Sequence, residues 1–517
     1  MSMTGKVFLL GAGPGDPGLI TLKAAQCIQS CDVIIYDYLA SPALLSIAPE
    51  NTEQIYVGKK GSDHTMKQDQ INQLIVDKAL EGLTVCRLKG GDPYIFGRGG
   101  EEADILNAHH IPFEVVPGIT SGIAAPAYAG IPLTHRKMTS TLAFVTGHED
   151  PTKTESSIHW PSLAKGIGTL VFYMGVKQLP GIVEQLLKHG KPADTPVALI
   201  RWGTTCRQQT VTGHLHSIVD IVKAAGLRAP AIIVVGEVVQ LREQLNWFEQ
   251  KPLFGKTIVV TRARQQASDL VKQLTDLGAE CIECPTIKIV PPEHNDPMID
   301  AIQRISDYDW LVFTSVNGVL SFFDRLFEMG KDVRILGHLR LCTIGPVTAR
   351  QLMTYGLKTD ILPETYRAES VVEAFEKETI KGKRVLLPRA KEARSVLPDA
   401  LREMGATVDE VTAYQTIAVS GHDSDVMHRI QQAEIDMVTF TSSSTVTNFC
   451  DIFSKVIRTD DFQQHVAIAS IGPITSETAR KNGLNISVEA EAFTIPGLVQ
   501  AVSDHYLKTH TEERSIP

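Results

Sequence analysis

The sequence predicts an α/β protein made of two unrelated halves. Three observations carry this prediction: short apolar runs alternate with helical stretches, the second half repeats itself, and a short linker of turn formers separates the halves. At about 150 residues per domain, the 517 residues suggest three or four domains. A hydrophobic share of 43% and a charged share of 21% are ordinary for globular proteins.

The first half, about residues 1–248, is predicted from its apolar runs. A strand at 7–10 leads through the glycine turn 11–18 into a helix over 19–30. The further strands of the series are predicted at 33–36, 84–88, 142–146, 169–173, 197–200 and 231–235. Alternation of strands and helices indicates largely parallel sheets.

The second half begins at about residue 256, after a linker at 249–255, and contains a repeat with an offset of 127 residues. The matching pairs are Thr261-Arg262 with Pro388-Arg389, Leu277-Gly278-Ala279 with Met404-Gly405-Ala406, Phe313-Thr314-Ser315 with Phe440-Thr441-Ser442, and Ile344-Gly345-Pro346 with Ile471-Gly472-Pro473. Four pairs in one register exclude chance. Each copy has the same order of strands and helices, which predicts two doubly wound α/β domains.

Hydroxyl side chains follow predicted strands of the repeat. Thr314 and Ser315 follow one strand, and Thr441 and Ser442 follow its counterpart. Ligands bind at the carboxyl ends of strands in doubly wound sheets, and hydroxyls with free amides at helix starts form anion sites. Each hydroxyl alone could simply cap a helix, but two matched sets facing one cleft favour a large anionic ligand.

Composition and charge exclude several classes of function. The net charge of −9 argues against nucleic acid as the main partner. The apolar runs are too short to cross a bilayer and the first residues lack a signal-peptide pattern, so no membrane association is expected. The only CxxC, at Cys281 and Cys284, lacks further zinc ligands, so no metal is predicted and a reducing cytoplasm is expected.

The glycine turn at 11–18 lies where a dinucleotide-binding fingerprint would lie, after a strand and before a helix. Asp16 occupies the position of the third glycine, and Pro14 removes a backbone donor. NAD binding is therefore not predicted.

A second glycine-rich loop, at 89–102, carries more information. Gly90 and Gly91 would let a ligand approach the backbone closely. Asp92 could accept hydrogen bonds from a ligand or merely cap a tight turn. Arg98 and Arg136 suit bidentate recognition of a substrate carboxylate, although each could equally form a surface ion pair.

These segments resemble the tetrapyrrole methylases, and among them uroporphyrinogen-III C-methyltransferase, over about residues 4–245. The resemblance is carried by Gly-Ala-Gly-Pro-Gly-Asp at 11–16, Gly-Gly-Asp-Pro-Tyr-Ile-Phe-Gly-Arg-Gly-Gly-Glu-Glu at 90–102, Val-Pro-Gly-Ile-Thr-Ser at 116–121 and Pro-Leu-Thr-His-Arg at 132–136. It implies two subdomains, about 1–135 and 136–248, and a homodimer formed through this half. The implied reaction transfers methyl groups from S-adenosyl-L-methionine to C2 and C7 of uroporphyrinogen III, giving precorrin-2 and S-adenosyl-L-homocysteine.

The resemblance also implies roles for residues at matching positions. Asp37 matches the family's candidate proton acceptor and Lys59 its candidate donor. A carboxylate could take the proton from the methylated pyrrole carbon. The residues that match cofactor-binding positions are Pro14, Gly90, Gly91, Asp92, Ile95, Thr120, Ser121, Met174 and Gly203. Without the family context, Met174 would be interpreted as core filling and Lys59 as a solvated charge.

The repeated half resembles uroporphyrinogen-III synthase over about residues 255–505. The segments that carry this resemblance lie at 312–318, 344–349, 412–416, 440–443 and 471–475. It implies closure of hydroxymethylbilane, a linear tetrapyrrole with eight carboxylates, with inversion of its last ring. The implied fold is a clamp of two flavodoxin-like domains on a two-strand hinge, one of about 256–287 plus 418–505 and the other of 288–417.

Three residues of this half match functional positions of the family. Thr348 and Thr475 are repeat partners that match its pocket threonines. Tyr414 matches a tyrosine placed to assist departure of the hydroxyl group, or is simply a half-buried strand residue. Its repeat partner is Ile287, so the two copies differ where acid chemistry would be needed.

Together the two resemblances indicate a bifunctional enzyme of the sirohaem and cobalamin branch of tetrapyrrole synthesis, because the product of the second half is the substrate of the first. The alternative is a methylase that carries a non-catalytic tetrapyrrole-binding or regulatory module. Methylation of RNA or protein is a weaker alternative.

Overall fold

A computed structural model describes residues 4–58, 66–147, 157–261, 264–292, 294, 296–365, 367–418, 424–454 and 460–513. By their internal contacts the residues divide into two compact units. One covers Met1–Thr257, Gln273–Cys281 and Ser503–Pro517, and the other covers Ile258–Lys272 and Ile282–Val502. Within the described ranges, no helix combines the length and apolar character needed to cross a membrane.

The first sheet consists of five parallel strands. They are β1 (Val7–Gly11), β2 (Val33–Tyr36), β3 (Glu53–Tyr56), β4 (Val85–Lys89) and β5 (Phe113–Val116), in the order β3-β2-β4-β1-β5. The helices along this part of the chain are α1 (Leu22–Ile28), α2 (Gln68–Leu80), α3 (Gly99–Ala108) and α4 (Ser121–Tyr128). Val7 and Leu9 pack into one core and Leu10 into another, because side chains alternate along β1. Both faces of the sheet are therefore covered, as parallel sheets require.

The second sheet is mixed. Its strands are β6 (Leu142–Thr146), β7 (Thr169–Tyr173), β8 (Pro196–Arg201), β9 (Gln209–His214) and β10 (Ala231–Val235), in the order β6-β7-β10-β8-β9. Its helices are α5 (Trp160–Gly166), α6 (Leu179–Lys188), α7 (Ile218–Ala224) and α8 (Arg242–Leu245). Only the β6–β7 pair is parallel. The prediction of largely parallel sheets is wrong here, because the short segment 202–208 joins β8 to β9 without the crossover that parallel neighbours need.

Among the described residues after 256, ten strands form two further sheets. The strands are β11 (Thr257–Val260), β12 (Glu280–Glu283), β13 (Ile287–Val290), β14 (Trp310–Phe313), β15 (Arg340–Thr343), β16 (Arg384–Ala390), β17 (Thr407–Ala418), β18 (Met437–Phe440), β19 (Ala467–Ser470) and β20 (Val488–Glu489). The helices are α9 (Arg264–Asp276), α10 (Asp296–Gln303), α11 (Val316–Glu328), α12 (Pro346–Met353), α13 (Ala368–Phe375), α14 (Val396–Glu403), α15 (Ser424–Gln431), α16 (Ser443–Ile452), α17 (Asp460–His465), α18 (Pro473–Lys481) and α19 (Ile495–Glu513).

The third sheet has the order β12-β11-β18-β19-β20 and the fourth has the order β13-β17-β16-β14-β15. The third sheet, and β17-β16-β14-β15 within the fourth, follow the flavodoxin-like order, so the predicted pair of doubly wound domains is confirmed. β13 pairs antiparallel with the end of β17, with Ile287 opposite Ala418 and Val290 opposite Gln415. These two strands form the predicted two-strand connection.

The two copies of the sequence repeat are not the two domains. The first copy supplies β11–β15 and the second supplies β16–β20. The third sheet combines β11 and β12 of the first copy with β18, β19 and β20 of the second, and the fourth sheet combines the remaining strands. Each sheet is therefore assembled from parts of both copies.

Candidate functional site

The carboxyl ends of β1, β4 and β5 meet at glycines. The Gly91 amide donates to the Gly13 carbonyl at 2.7 Å, and the Gly13 amide donates back at 3.2 Å. A Cβ atom on Gly11 would lie 2.4 Å from the Cα of Gly118, and one on Gly118 would lie 2.3 Å from the Gly91 carbonyl oxygen. The glycine turn and the loop after β4 lie side by side. They are packed so closely that no larger residue fits at Gly11 or Gly118.

Asp92 shapes the loop after β4. Its Oδ1 accepts from the amides of Tyr94 at 2.8 Å and Ile95 at 3.1 Å, and its Oδ2 accepts from the amide of Gly118 at 3.0 Å. Asp92 thus caps the turn, the simpler of the two sequence interpretations, and in doing so fixes the backbone that carries Ile95.

Tyr173, at the end of β7, fixes the start of α4, a role that was not predicted from the sequence. Its hydroxyl lies 2.8 Å from the Thr120 Oγ1 and accepts from the Gly122 amide at 2.9 Å. Burial raises the pKa of Tyr173, which keeps the hydroxyl protonated. Thr120 and Ser121 are thereby held beside Met174, the residue after the tyrosine.

The glycine turn also contacts the turn between β8 and β9. The Asp16 amide donates to the Thr204 Oγ1 at 3.0 Å. A Cβ atom on Gly203 would lie 2.3 Å from the Cβ of Ala125 in α4, so Gly203 packs directly on that helix. The turn that contains Pro14 is therefore close to Gly203, and the segments that carry the predicted cofactor residues come together.

Several residues of these segments have strained backbones. Phe96, Arg98, Met174, Trp202 and Thr204 have φ angles from 50° to 72°. Side chains make this left-handed region unfavourable, and such strain concentrates at ligand-binding and active sites. The strained positions mark the same loops as the predicted cofactor residues.

The segments fit the cofactor that the sequence resemblance implies. Ile95 and Met174 expose apolar side chains. Ile95 lies in the same loop as Gly91, which has a φ angle of 71°, and Met174 follows Tyr173, whose hydroxyl contacts Thr120. Ligand sites combine apolar walls with a few placed polar groups, and an adenosyl ligand would be held here by Gly90, Gly91 and the Thr120–Ser121 segment.

A buried charge cluster that the sequence analysis missed lies behind Asp37. The Glu102 Oε1 accepts from Lys89 at 2.7 Å and from the Arg87 Nε at 3.1 Å, and Glu102 is 1% exposed. A second nitrogen of Arg87 contacts the Asp37 Oδ2 at 3.3 Å. Burial, followed by repulsion from Arg87, lowers the pKa of Lys89. The signal available in the sequence was that Arg87 and Lys89, two cations, occupy alternate positions of an otherwise apolar strand.

The remaining predicted residues of this half are less connected. Arg98 is exposed and pairs with both oxygens of Glu101, at 2.8 and 2.7 Å, which is the ion-pair interpretation. Arg136 is exposed in a turn where His135 pairs with Thr139. Lys59 lies outside the described residues.

Replacement of Tyr173 by phenylalanine tests its role in fixing α4. The Gly122 amide and the Thr120 hydroxyl would lose their partner, so we expect the free energy of unfolding to fall by about 1–3 kcal/mol and S-adenosyl-L-homocysteine to bind more weakly. Urea denaturation and calorimetric titration measure the two effects. Tyr94→Phe removes an exposed hydroxyl and is the stability control. Equal stability of the two variants would contradict this role.

A cavity of about 210 Å³ lies at the carboxyl ends of β14 and β16. Its lining residues are Thr314, Ser315, Ile344, Ala368, Arg389, Ala390, Ala393, Arg394, Leu397 and Tyr414. Tyr414 is 8% exposed, and its hydroxyl donates to the Ser315 Oγ at 3.0 Å. Ser315 also accepts from the Gly318 amide at 3.0 Å and so caps α11. Three residues predicted from the sequence thus meet in one cavity, together with two arginines that were not predicted.

The other predicted residues of this half occupy the starts of helices. Ser442 caps α16, since its Oγ accepts from the Thr445 amide at 3.4 Å, and Thr441 precedes it. Thr348 and Thr475 are buried in the first turns of α12 and α18. Their preceding neighbours, Val347 and Ile474, are instead the exposed residues of those turns.

Both halves match known families. The sequence model described as "Uroporphyrinogen-III synthase HemD" matches residues 268–500. The model described as "Tetrapyrrole (Corrin/Porphyrin) Methylases" matches residues 6–219.

The relatives match different shares of the chain. "Porphyrin biosynthesis protein HemD" of Ruminiclostridium josui is 37% identical over 495 residues, 96% of this chain and 97% of that protein. "Uroporphyrinogen-III C-methyltransferase" of Bacillus subtilis is 46% identical over 332 residues, 64% of this chain and 68% of that protein. "S-adenosyl-L-methionine-dependent uroporphyrinogen III methyltransferase" of Methanosarcina barkeri is 56% identical over 242 residues, 47% of this chain and 95% of that protein.

Proposed function

Because this chain belongs to the tetrapyrrole methylases in its first half and to the uroporphyrinogen-III synthases in its second, we propose that it is a bifunctional enzyme of tetrapyrrole synthesis. The second half closes hydroxymethylbilane to uroporphyrinogen III, and the first half methylates that product at C2 and C7 to give precorrin-2. The observation that carries this conclusion is the presence of both families in one chain, where one activity makes the substrate of the other.

In the first half, S-adenosyl-L-methionine supplies the methyl group when it is bound and leaves as S-adenosyl-L-homocysteine. The glycine-rich loops and the Thr120–Ser121 segment would bind it, and Ile95 and Met174 would cover its apolar parts. We assign to Asp37 the removal of the proton from the methylated carbon, because its side chain is partly exposed and Arg87 orients one of its oxygens. The matching role of Lys59 as proton donor is carried by the family resemblance alone.

In the second half, the proposed role of Tyr414 is to donate a hydrogen bond to the departing hydroxyl group. Loss of that group leaves a reactive azafulvene-like cation, so control of the substrate's shape matters more than a strong nucleophile. Ser315 orients the phenol, and the hydroxyls of Thr314, Thr441 and Ser442 lie at strand ends suited to carboxylates. Thr348 and Thr475 would act through the buried first turns that they stabilise.

The domain boundaries and the setting of the enzyme are also proposals. We divide the chain into 1–248, a linker at 249–255, and 256–517, the last split into 256–287 plus 418–505 and 288–417. The membership of the strands in four sheets supports this division. We further propose a homodimer formed through the first half and a cytoplasmic location. The reaction would precede the formation of sirohaem or cobalamin in tetrapyrrole synthesis.

Anaerobic incubation of the purified chain with hydroxymethylbilane and S-adenosyl-L-methionine tests the function. We expect precorrin-2 or its oxidised form. Uroporphyrin I as the only porphyrin product would show that the second half is a non-catalytic binding or regulatory module. Failure to convert added uroporphyrinogen III would refute the methylase assignment and favour another methyl acceptor, such as RNA or protein.

A further inference from the structure

The cavity beside Tyr414 collects positive charge from the starts of several helices. Ser315 caps α11, Ala368 is the first residue of α13, and Leu397 lies in the first turn of α14. Helix N-termini carry partial positive charge and direct free amides toward anions. Their convergence in one cavity favours a negatively charged group there.

Two guanidinium groups line the same cavity but differ in their burial and in their partners. Arg389 is buried, donates to the Glu410 Oε2 at 2.9 Å, and donates to the backbone carbonyl of Arg394. Its donors thus hold the turn that carries Arg394. The Arg394 side chain is 73% exposed, and its ion pair with Glu369 is long, at 3.9 Å. A pair so long and exposed is weak, so Arg394 can exchange it for a ligand carboxylate.

The sequence repeat is broken at this cavity. Ser315 is matched by Ser442 in the other copy, but the partner of Arg394 is Ala267 and the partner of Tyr414 is Ile287. The helix-capping hydroxyl is therefore common to both copies. The exposed cation and the phenol occur together only in the second.

We propose that Arg394 binds a carboxylate of hydroxymethylbilane in this cavity, and that Arg389 positions it. A guanidinium fork binds a carboxylate through two parallel hydrogen bonds, which fixes both its place and its orientation. A cavity of about 210 Å³ is smaller than the roughly 300–1,000 Å³ of whole small-molecule sites, so it receives one carboxylate arm and not the tetrapyrrole. Anchoring of that arm would place the hydroxymethyl group of the substrate within reach of Tyr414. This proposal rests on the synthase function proposed above.

The proposal is tested by steady-state kinetics of the full chain with hydroxymethylbilane. The variants Arg394→Ala and Arg394→Lys are compared with a control. We expect Arg394→Ala to raise KM about tenfold to hundredfold with little change in kcat, because a charge-assisted hydrogen-bond pair is lost. Arg394→Lys keeps the charge without the fork and should fall between. The control is Arg334→Ala, another highly exposed arginine of the same domain, which pairs with Asp332 outside the cavity.

An unchanged KM in Arg394→Ala, or an equal rise in Arg334→Ala, would overturn the proposal. So would a fall in kcat at constant KM, since Arg394 would then act in the chemical step. Binding of uroporphyrin III, followed by its fluorescence, separates this idea from the synthase function. If the wild-type chain is inactive but porphyrin binding weakens only in the Arg394 variants, the synthase function is refuted and the carboxylate site is retained. If binding is unaffected as well, the carboxylate site is refuted.

Discussion

Replacement of Glu102 by alanine is expected to lower the free energy of unfolding of the first half by about 3–5 kcal/mol. The carboxylate lies between Lys89 and Arg87, which are both buried, and its removal leaves two cations without their shared partner. Because Arg87 also contacts Asp37, methylation of uroporphyrinogen III should slow as well. Urea denaturation and initial methylation rates measure the two effects.

The neighbouring Glu101 provides a matched control. It is exposed and pairs with Arg98, and that contact lowers the pKa of its carboxyl group. Exposed pairs contribute at most about 1 kcal/mol, so Glu101→Ala should cost far less. If the two variants lost equal stability, the buried cluster would not have the importance assigned to it.

The stability of Glu102→Ala should also depend on pH. Burial already holds the pKa of Lys89 below its usual value of 10.5, and Glu102 partly offsets that shift. Without Glu102 the folded-state pKa falls further, so protonated Lys89 opposes folding in full below that pKa. The cost should decrease as the pH rises from there toward 10.5. A difference from the wild-type protein that stayed constant with pH would contradict this account.

Replacement of Tyr414 by phenylalanine is expected to lower the kcat of uroporphyrinogen III formation by about a hundredfold or more, with a small effect on KM. The phenol hydroxyl is the only group removed, and Ser315, its acceptor, keeps its second partner in the Gly318 amide. More of the substrate should then close without inversion, so the ratio of uroporphyrinogen I to III should rise. Chromatography of the oxidised products measures this ratio.

Tyr355 is a suitable control for that experiment. It belongs to the same domain and stacks on Phe323 with ring centroids 4.1 Å apart, and it is not among the residues that line the cavity. Tyr355→Phe should leave the rate and the product ratio unchanged. A Tyr414→Phe enzyme with the wild-type product ratio would show that the phenol only fills the cavity wall.

The part of the fold that could be predicted from the sequence was its local secondary structure. The runs at 7–10, 33–36 and 231–235 are strands in the structure because continuous apolar stretches suit buried strands. The mixed second sheet was not predicted, and the exchange of strands between the repeat copies was expected only from the family resemblance, through the domain bounds 256–287 plus 418–505 and 288–417. The exchange depends on which strands pair across long sequence separations, and local periodicity does not contain that information.

The same limit applies to the candidate sites. Glycines at a strand end indicate close backbone approach, so Gly90 and Gly91 could be singled out from the sequence, whereas Gly203 followed only from the family resemblance. Arg87 and Glu102 could not be paired, because each is explicable only when α3 is known to pack beside β4. Arg394 was missed for a similar reason, since its cavity is assembled from three separate helix starts.

The exchange of strands between the repeat copies constrains the order in which the second half can fold during synthesis. β11 pairs with β18, and the Thr261 hydroxyl donates to the Thr439 carbonyl 178 residues later. The fourth sheet is complete once residue 418 has left the ribosome, whereas β11 and β12 must wait for β18, β19 and β20. One domain can therefore close while the other still holds unpaired strand edges, which is the stage at which a nascent chain is most exposed to aggregation.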